Sequence, residues 1–431
     1  MRLILAICLL FASPLRAEVD ITPVTSPGGL EAWLVEERSI PIIAVDLIFE
    51  GGAALDSDES LGAVAFMTAL LNEGAGEMDA QGFAIRTEEL AARISFDSGR
   101  DTVSVSAQFL TETAEETIAL LNTALTKPRF DADAIERVRA QLVASLRRDA
   151  LEPNAIASRA FAEAAYPDHP YARPSDGTAD SVSELTRDDL RKAHQAAITR
   201  DRVHIGVAGD VDAEALGPML DALFEDVPES SVPLPGRASF AAQPGVTHVP
   251  FDGPQSVIAF GHRGIPRDDP DFLTAFVVNE IVGGGRFGTR LMTELREKRG
   301  LTYGVGAFLA SGFLGESYQG RLSASNADVA EVIDLIRAEW EKLASDGVTQ
   351  EELGRIQTYL TGAYPLRFDG NGAIAGIMAS MQFQGFDVDY VNIRNTLVED
   401  VTLEEANAMA QRLYDPEALR FIVVGQPEGI N

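Results

Sequence analysis

The chain has 431 residues, of which 46% are hydrophobic and 23% are charged. This composition is typical of a soluble globular protein, and it excludes a disordered chain and a repetitive rod. Asp and Glu number 66 against 35 Lys and Arg, which gives a formal net charge of −31. Because so acidic a surface repels phosphate backbones and anionic lipid headgroups, we expect neither a nucleic-acid partner nor a membrane partner.

The N-terminus has the three parts of a secretory signal peptide. Arg2 precedes the apolar run Leu3–Ala12, and the segment Ser13–Ala17 ends on a small residue. The run is too short to span a bilayer, which needs about 18 apolar residues. We therefore expect cleavage near Ala17 and export to a bacterial periplasm, the alternative being a buried N-terminal strand or helix. Cleavage would remove the only cysteine, Cys8, and two arginines, so that the net charge changes from −31 to −33.

In chain order, the hydrophobic pattern predicts a mixture of strands and helices. Ile42–Phe49 alternates as a strand does, and Glu50–Leu61 carries glycines and acids before a helical run. Long helices rich in Ala and Leu are predicted over Glu115–Thr126 and Ala132–Ala150, and a second strand at Ser256–Phe260 leads into another helical run. Because strands and helices do not alternate strictly, an α+β fold is favoured over a parallel doubly wound sheet.

Two segments match closely enough to predict an internal duplication. Thr186 and Thr402 each begin a capping-box pattern, and each predicted helix is followed by a β-branched strand that ends on glycine. Gly209 follows Thr186 by 23 residues, and Gly425 follows Thr402 by 23. We therefore predict two homologous α/β-sandwich halves, 18–227 and 247–431, joined by a Pro- and Ser-rich linker at 228–246 and preceded by the signal peptide 1–17.

Two further features resemble ligand sites but have simpler explanations. Gly283–Gly288 reads GGGRFG and satisfies G-x-G-x-x-G, yet it follows a predicted helix where a dinucleotide fingerprint follows a strand, so a helix end is favoured. No two of the five histidines stand three or four residues apart, so no single helix face offers a pair of metal ligands. We expect each of them to serve packing or hydrogen bonding: His169, His194, His204, His248 and His262.

Several segments resemble the inverzincin metallopeptidases of the insulinase, pitrilysin and mitochondrial processing peptidase type. The most specific of them is Arg290–Val305, which reads RLMTELREKRGLTYGV. The others are Leu61–Gly74, His169–Thr178, Thr186–Leu190 and Val207–Val211. The resemblance covers nearly the whole mature chain, and it implies two homologous α+β halves that close like a clam shell around an unfolded peptide.

The resemblance also implies that the zinc site of this family is absent here. Catalytic members carry H-x-x-E-H on the helix that matches Leu61–Leu71, and a later helix supplies a glutamate as third ligand. The two His positions fall on Ala65 and Ala69, and the Glu position falls on Thr68. The third ligand falls on Ala144 or Ser145. Since alanine has no lone pair and threonine is a weak base, we expect no metal in this chain and no peptide hydrolysis by it alone.

A second part of the family's site is retained. The Arg and Tyr that contact the substrate from the opposite half match Arg296 and Tyr303, with Gly300 as the expected helix breaker between them. In the family's chemistry, Arg donates to a substrate carbonyl and Tyr donates to the developing oxyanion. Without the resemblance, Arg296 would be a solvated helix residue and Tyr303 a packed strand aromatic.

A lost zinc site beside a retained Arg/Tyr pair resembles the second subunit of two-chain bacterial members. The resemblance thus implies a non-catalytic subunit of an exported heterodimeric zinc metalloendopeptidase. Its partner would be a homologue bearing H-x-x-E-H and the zinc, and its substrate a peptide or unfolded polypeptide. The alternative is a peptide-binding or structural scaffold of the same fold, with no role in proteolysis.

Overall fold

The structure is a computed structural model that describes residues 19–430. The predicted signal peptide, with its cleavage site near Ala17, lies outside the described residues. Within the described residues, no helix is long and apolar enough to cross a membrane.

The N-terminal half is built on a six-stranded sheet in the order β1-β2-β8-β3-β7-β6. Its strands are β1 (Thr22–Thr25), β2 (Glu31–Glu36), β3 (Ile42–Glu50), β4 (Gly74–Ala75), β5 (Met78–Asp79), β6 (Arg93–Ser98), β7 (Thr102–Leu110) and β8 (Val203–Gly209), of which β4 and β5 form a separate small hairpin. Its helices are α1 (Ala63–Thr68), α2 (Ala80–Glu89), α3 (Ala114–Thr126), α4 (Ala132–Asp149), α5 (Pro153–Ala165), α6 (Ala179–Glu184), α7 (Arg187–Ala197) and α8 (Ala213–Leu223).

The C-terminal half is built on a five-stranded sheet in the order β11-β12-β10-β13-β9. Its strands are β9 (Gly245–Pro250), β10 (Gln255–Arg263), β11 (Val305–Gly312), β12 (Gly315–Ser325) and β13 (Arg420–Gly425). Its helices are α9 (Phe272–Val282), α10 (Val329–Asp346), α11 (Gln350–Ala363), α12 (Asn371–Phe383), α13 (Tyr390–Asp400) and α14 (Leu403–Leu413), together with a π-helical turn at Met292–Glu297.

The two sheets share one topology, which confirms the predicted duplication. In each half a central strand pairs antiparallel with two neighbours: β3 with β7 and β8, and β10 with β12 and β13. The last strand of each half pairs in parallel with an early strand of that half: β8 with β2, and β13 with β9. Both predicted capping boxes are present, because the Thr186 hydroxyl accepts from the Asp189 amide and the Thr402 hydroxyl from the Glu405 amide. The helices α7 and α14 that they begin lead into β8 and β13, as the matched spacing predicted.

Each sheet packs its own helices on one face and a helix of the other half on the opposite face. Side chains alternate across β3, so that Val45 and Phe49 enter the core with helices of the N-terminal half while Ala44 faces α12. In the same way, Phe161 of α5 packs with strand residues of the C-terminal sheet, including Ala259. Helix α5 of the N-terminal half thus packs on the C-terminal sheet, and α12 of the C-terminal half packs on the N-terminal sheet. We call α5 and α12 the exchanged helices.

The exchanged helices lie very close to the sheets, and glycine makes this possible. A Cβ at Gly206 of β8 would lie 2.0 Å from the carbonyl oxygen of Ala375 in α12. A Cβ at Gly261 of β10 would lie 2.8 Å from the ring of Phe161 in α5. Because only glycine lacks this atom, α12 can approach the backbone of β8, and the ring of Phe161 can approach the backbone of β10.

A hydrogen-bonded junction holds the halves together near the β11–β12 turn. The hydroxyl of Tyr171 donates to Oδ1 of Asp101 at 2.7 Å and accepts from the backbone N–H of Leu314 at 2.8 Å. The second oxygen of Asp101 accepts from the Phe313 N–H at 3.1 Å. Residues 228–244 cross between the halves without helix or strand, and the Ala238 N–H donates to the Leu314 carbonyl oxygen at 2.6 Å. The hairpin end of one half is therefore fixed to the other half by main-chain and side-chain bonds.

Candidate functional site

Helix α1 carries the positions at which the family binds zinc, and it is shorter than the predicted Leu61–Leu71. It begins after Gly62, whose φ of +88° is readily adopted only by glycine, and its last residues close as tighter turns. The buried carboxylate of Asp56 accepts from the Gly62 N–H at 2.8 Å and from the Val64 N–H at 3.1 Å. Burial raises the pKa of Asp56 to about 7, against the lowering effect of these two bonds. Asp56 thus serves the free amides at the start of α1, a role that sequence reasoning missed.

The residues at the zinc positions do not fit a zinc ion. Ala65 and Ala69 present methyl groups and are only half-buried. Thr68 is buried, and its hydroxyl donates to the Val64 carbonyl oxygen at 2.8 Å, so its side chain bonds to its own helix. Ser145 of α4 is half-buried. Within residues 19–430, no group of three or more His, Cys, Asp or Glu side chains could hold a metal ion.

The scaffold around these positions is nevertheless retained. The guanidinium of Arg139 on α4 lies over the ring of Phe66 on α1, with 5.2 Å to the ring centroid. Arg139 also donates to the carbonyl oxygens of Val182 and Leu185, at 2.5 Å and 2.9 Å. The two helices that carry metal ligands in the family therefore lie next to each other here, with no zinc ligands at the matching positions.

Arg296 lies in the π-helical turn Met292–Glu297, a rare backbone form that often marks a functional site. Its guanidinium lies over the exposed ring of Phe287, 4.4 Å from the ring centroid, and forms no ion pair within the described residues. The neighbouring cations Lys298 and Arg299 both pair with Glu294 instead. Arg296 is half-buried and packs on Phe287, so it is not the freely solvated helix residue of the simpler interpretation.

Gly300 ends this helix as predicted, since its φ is +68° and its N–H donates to the Arg296 carbonyl oxygen at 3.0 Å. Tyr303 follows in a turn that precedes β11. Its neighbour Thr302 is buried, and the Thr302 hydroxyl donates to the Gly304 carbonyl oxygen at 2.9 Å. Tyr303 itself is 88% exposed, so the alternative of a packed strand aromatic is wrong. The side chain of Tyr303 therefore faces solvent on this turn.

All five histidines form structural hydrogen bonds, as predicted. His262 is the most buried: its Nδ1 bonds to the Arg263 carbonyl oxygen at 2.7 Å, and its Nε2 accepts from the Trp340 indole at 3.1 Å. Burial lowers the pKa of His262 to about 4, so this ring is neutral near pH 7. The other histidines bond through Nε2 to carbonyl oxygens or a carboxylate: His169 to Gly236, His194 to Leu125, His204 to Glu50 and His248 to Gly425.

The glycine-rich motif ends a helix and does not form a nucleotide loop. The Gly283 N–H donates to the Asn279 carbonyl oxygen at 2.8 Å and closes α9. Arg286 inside the motif bonds to the side chain and carbonyl oxygen of Glu280, which folds the segment back on the helix. The helix-end interpretation is therefore confirmed.

The duplicated α+β fold, with no zinc ligands at the matching positions of α1, is that of a metallopeptidase-like protein with a degenerate zinc site. A family model described as "Insulinase (Peptidase family M16)" matches residues 33–179, and one described as "Peptidase M16 inactive domain" matches residues 184–360. The chain belongs to the insulinase, or M16, peptidase family, which confirms the resemblance read from the sequence.

Similar proteins include both zinc proteases and a non-peptidase. The chain is 25% identical over 397 residues to the "Non-peptidase homolog YmxG" of Helicobacter pylori, with 90% of each chain covered. It is 26% identical over 400 residues to an "Uncharacterized zinc protease", ML0855, of Mycobacterium leprae, covering 90% of this chain and 88% of that one. The crystal structure of a peptidase M16 inactive domain from Pseudomonas fluorescens superposes with a TM-score of 0.87 at 27% identity, covering 95% of this chain and 98% of that one.

Proposed function

We propose that the chain is the non-catalytic subunit of an exported heterodimeric zinc metalloendopeptidase. The observation that carries the proposal is Tyr303, an aromatic side chain 88% exposed on an ordered turn, close in sequence to an Arg296 that has no carboxylate partner within the described residues. Tyrosine and arginine are among the residues that contribute most to binding where two molecules meet. In this proposal the second molecule is a bound peptide, at the interface with a homologous subunit that bears the H-x-x-E-H motif.

The two side chains have the chemistry that peptide hydrolysis needs from the non-metal side. Arg296 can direct its N–H donors at a carbonyl oxygen of the substrate backbone, with Phe287 beneath the guanidinium to hold its plane. The hydroxyl of Tyr303 can donate to the oxygen on which negative charge develops as the peptide bond is attacked. Neither group activates the water, so this chain supplies substrate and transition-state contacts and its partner supplies the rest.

The lack of ligands on α1 supports the heterodimer over a self-sufficient enzyme. Replacing Ala65 and Ala69 would not by itself restore a metal site, because the general base and the third ligand are also absent at Thr68 and Ser145. The absence of all the zinc ligands and of the general base agrees with a complex in which another subunit binds the zinc and activates the water. The proposal includes the periplasm as its location, in accordance with the predicted signal peptide.

The test is co-expression of the mature chain with an H-x-x-E-H homologue from the same organism, followed by peptide cleavage assays on the purified complex. We expect activity that a chelator abolishes and that neither chain shows alone. In the complex, Tyr303→Phe should lower kcat by about 100-fold to 1,000-fold, as the loss of an oxyanion donor does in other enzymes. Arg296→Ala should lower kcat/KM to a comparable extent.

Matched controls separate these roles from general damage. Tyr359→Phe changes a second exposed tyrosine of the same half, and Arg191→Ala changes an exposed arginine of α7; both should leave turnover unchanged. If Arg296→Ala and Tyr303→Phe complexes turned over peptide as fast as these controls, the assigned roles would be wrong.

A peptide-binding or structural scaffold is the second candidate, and the H. pylori relative named a non-peptidase homolog favours it. A scaffold would form a stable complex without any zinc-bearing homologue. Pull-down of the tagged mature chain with identification of its partners by mass spectrometry distinguishes the two. A co-purifying H-x-x-E-H homologue with chelator-sensitive cleavage supports the subunit, and a homodimer that binds peptide tightly without cleaving it supports the scaffold.

A further inference from the structure

A cavity of about 420 Å³ in the C-terminal half is lined by three arginines from separate parts of the chain. Arg267 precedes α9, Arg367 lies between α11 and α12, and Arg394 belongs to α13. Two tyrosines, Tyr364 and Tyr390, line the same cavity. The site is distant in sequence from the π-helical turn and is not used in the proposed peptidase role.

None of the described residues that line the cavity is acidic. Within residues 19–430, none of these three arginines forms an ion pair, although most ion pairs of the described chain do involve an arginine. In a protein with 66 acidic residues and 35 basic ones, three guanidinium groups around one acid-free cavity run against the overall charge. Like charges collected in this way produce a local positive potential that attracts anions.

Arg267 is held in place by aromatic rings. Its guanidinium lies 4.5 Å from the ring centroid of Phe272 and 5.0 Å from that of Phe386, and Phe386 in turn stacks on Tyr390 at 4.1 Å. Within residues 19–430, no acceptor takes any of its N–H groups, and its Nε is buried without a partner there. A side chain with five donors is thus fixed beside the cavity with none of those donors bonded to the described protein.

Arg394 is fixed by different contacts. It is only 7% exposed, and its Nη1 donates to the Leu360 carbonyl oxygen at 3.0 Å and to Oδ1 of Asn395 at 3.1 Å. Its guanidinium lies 4.6 Å from the ring centroid of Tyr364. Burial lowers the pKa of both Arg267 and Arg394.

The walls of the cavity complete a pocket for a ligand with an apolar part. Phe276 and Met381 supply apolar surface, while Ser380 and Gln384 add polar groups. The lining that α12 contributes also includes Gly372 and Gly376. Pockets of this size and make-up suit small molecules.

We propose that this cavity binds a small organic anion that carries a phosphate group or several carboxylates next to an apolar part. The fork of donors on a guanidinium matches both groups, because each offers two acceptor oxygens to one arginine. The anion supplies the negative charge that the lining lacks, and the aromatic residues contact its apolar part.

Isothermal titration calorimetry on the mature chain tests this at low salt, with pyrophosphate and citrate as the two probes. We expect saturable binding of one anion per chain by at least one probe, weakened by added NaCl. Pyrophosphate binding alone indicates a phosphate ligand, and citrate binding alone indicates a polycarboxylate. In either case Arg267→Gln and Arg367→Gln should each reduce the affinity at least tenfold.

Arg191→Gln is the matched control, because Arg191 is exposed, as Arg367 is, and lies outside the cavity. This variant should bind the anion as the unaltered chain does. Arg367 is exposed and makes no hydrogen bond within the described residues, so its replacement should leave the thermal unfolding temperature unchanged. If Arg267→Gln is unstable, the anion affinity of Arg367→Gln tests the proposal instead. The proposal is overturned if neither probe binds, or if a chain with both Arg267→Gln and Arg367→Gln binds as well as the control. Because the assay involves no partner subunit and no cleavage, its outcome is independent of the peptidase proposal.

Discussion

Replacing Gly206 by alanine should loosen the exchanged helix α12 from the N-terminal sheet. The new Cβ would lie 2.0 Å from the Ala375 carbonyl oxygen, 2.7 Å from the Ala379 nitrogen and 2.9 Å from Cβ of Met378. Two of these are backbone atoms of a helix, so they cannot rotate away. Restoring an ordinary separation of 3.4 Å to the first of them requires α12 to move by about 1.4 Å.

A movement of that size separates α12 from the small residues beneath it, Ala44 and Ala208, which share a cluster with Ala375. Overpacking of a core commonly costs 1–3 kcal/mol, and a clash with backbone belongs at the upper end. We therefore expect Gly206→Ala to lower the free energy of unfolding by about 3 kcal/mol. The measurement is urea unfolding of the mature chain, followed by circular dichroism.

Gly354→Ala is the control, because the same substitution at this position should raise the free energy of unfolding. Gly354 lies inside α11, and a Cβ at that position would have no neighbouring atom within 4 Å. Alanine in a helix interior is more stable than glycine by about 0.5–1 kcal/mol. If Gly206→Ala changed the stability no more than Gly354→Ala does, α12 would not lie against β8 as described.

Two further substitutions test other parts of the packing. Tyr171→Phe should lower the free energy of unfolding by about 1–3 kcal/mol in urea, because Asp101 and the Leu314 N–H each lose a buried partner, whereas Tyr359→Phe should have no effect. His262 has a pKa of about 4 in the folded chain and an ordinary value of 6.5, so the unfolded chain takes up this proton first as the pH falls. Through this group the free energy of unfolding of the unaltered protein should therefore fall by roughly 3 kcal/mol between pH 6.5 and 4. Urea unfolding of His262→Gln across the same range should lack this part of the decrease. Identical pH profiles for the two proteins would contradict the assignment.

The repeated local signals of the chain were readable from sequence because each depends on neighbouring residues. The capping boxes at Thr186 and Thr402 and the glycine that ends α9 all involve contacts within four residues. Ala132–Ala150 was predicted as a helix and is observed as Ala132–Asp149, since its apolar spacing is regular over several turns. Local hydrogen bonding and periodicity therefore sufficed to predict these elements and the duplication.

Features that depend on distant residues were not predicted. Nothing near Ala375 or Phe161 indicates that α12 and α5 cross to the other half's sheet, because both helices have ordinary apolar faces. Asp56 was missed as the acceptor at α1, since it stands six residues before Gly62 and outside the usual capping pattern. For the candidate site, the resemblance located Arg296 and Tyr303, but only the structure shows that Thr302 holds the tyrosine outward.

The exchange of helices sets an order of events during synthesis. Asn371, which begins α12, follows Gly209, the last residue of β8, by 162 residues. The first sheet is complete in the growing chain long before the helix that covers its outer face exists, and that face stays open to solvent in the meantime. Such long-range closure slows folding and exposes apolar surface to aggregation. A chain arrested at the linker would thus expose the uncovered face of the first sheet. Neither half is fully packed until the other half has been synthesised.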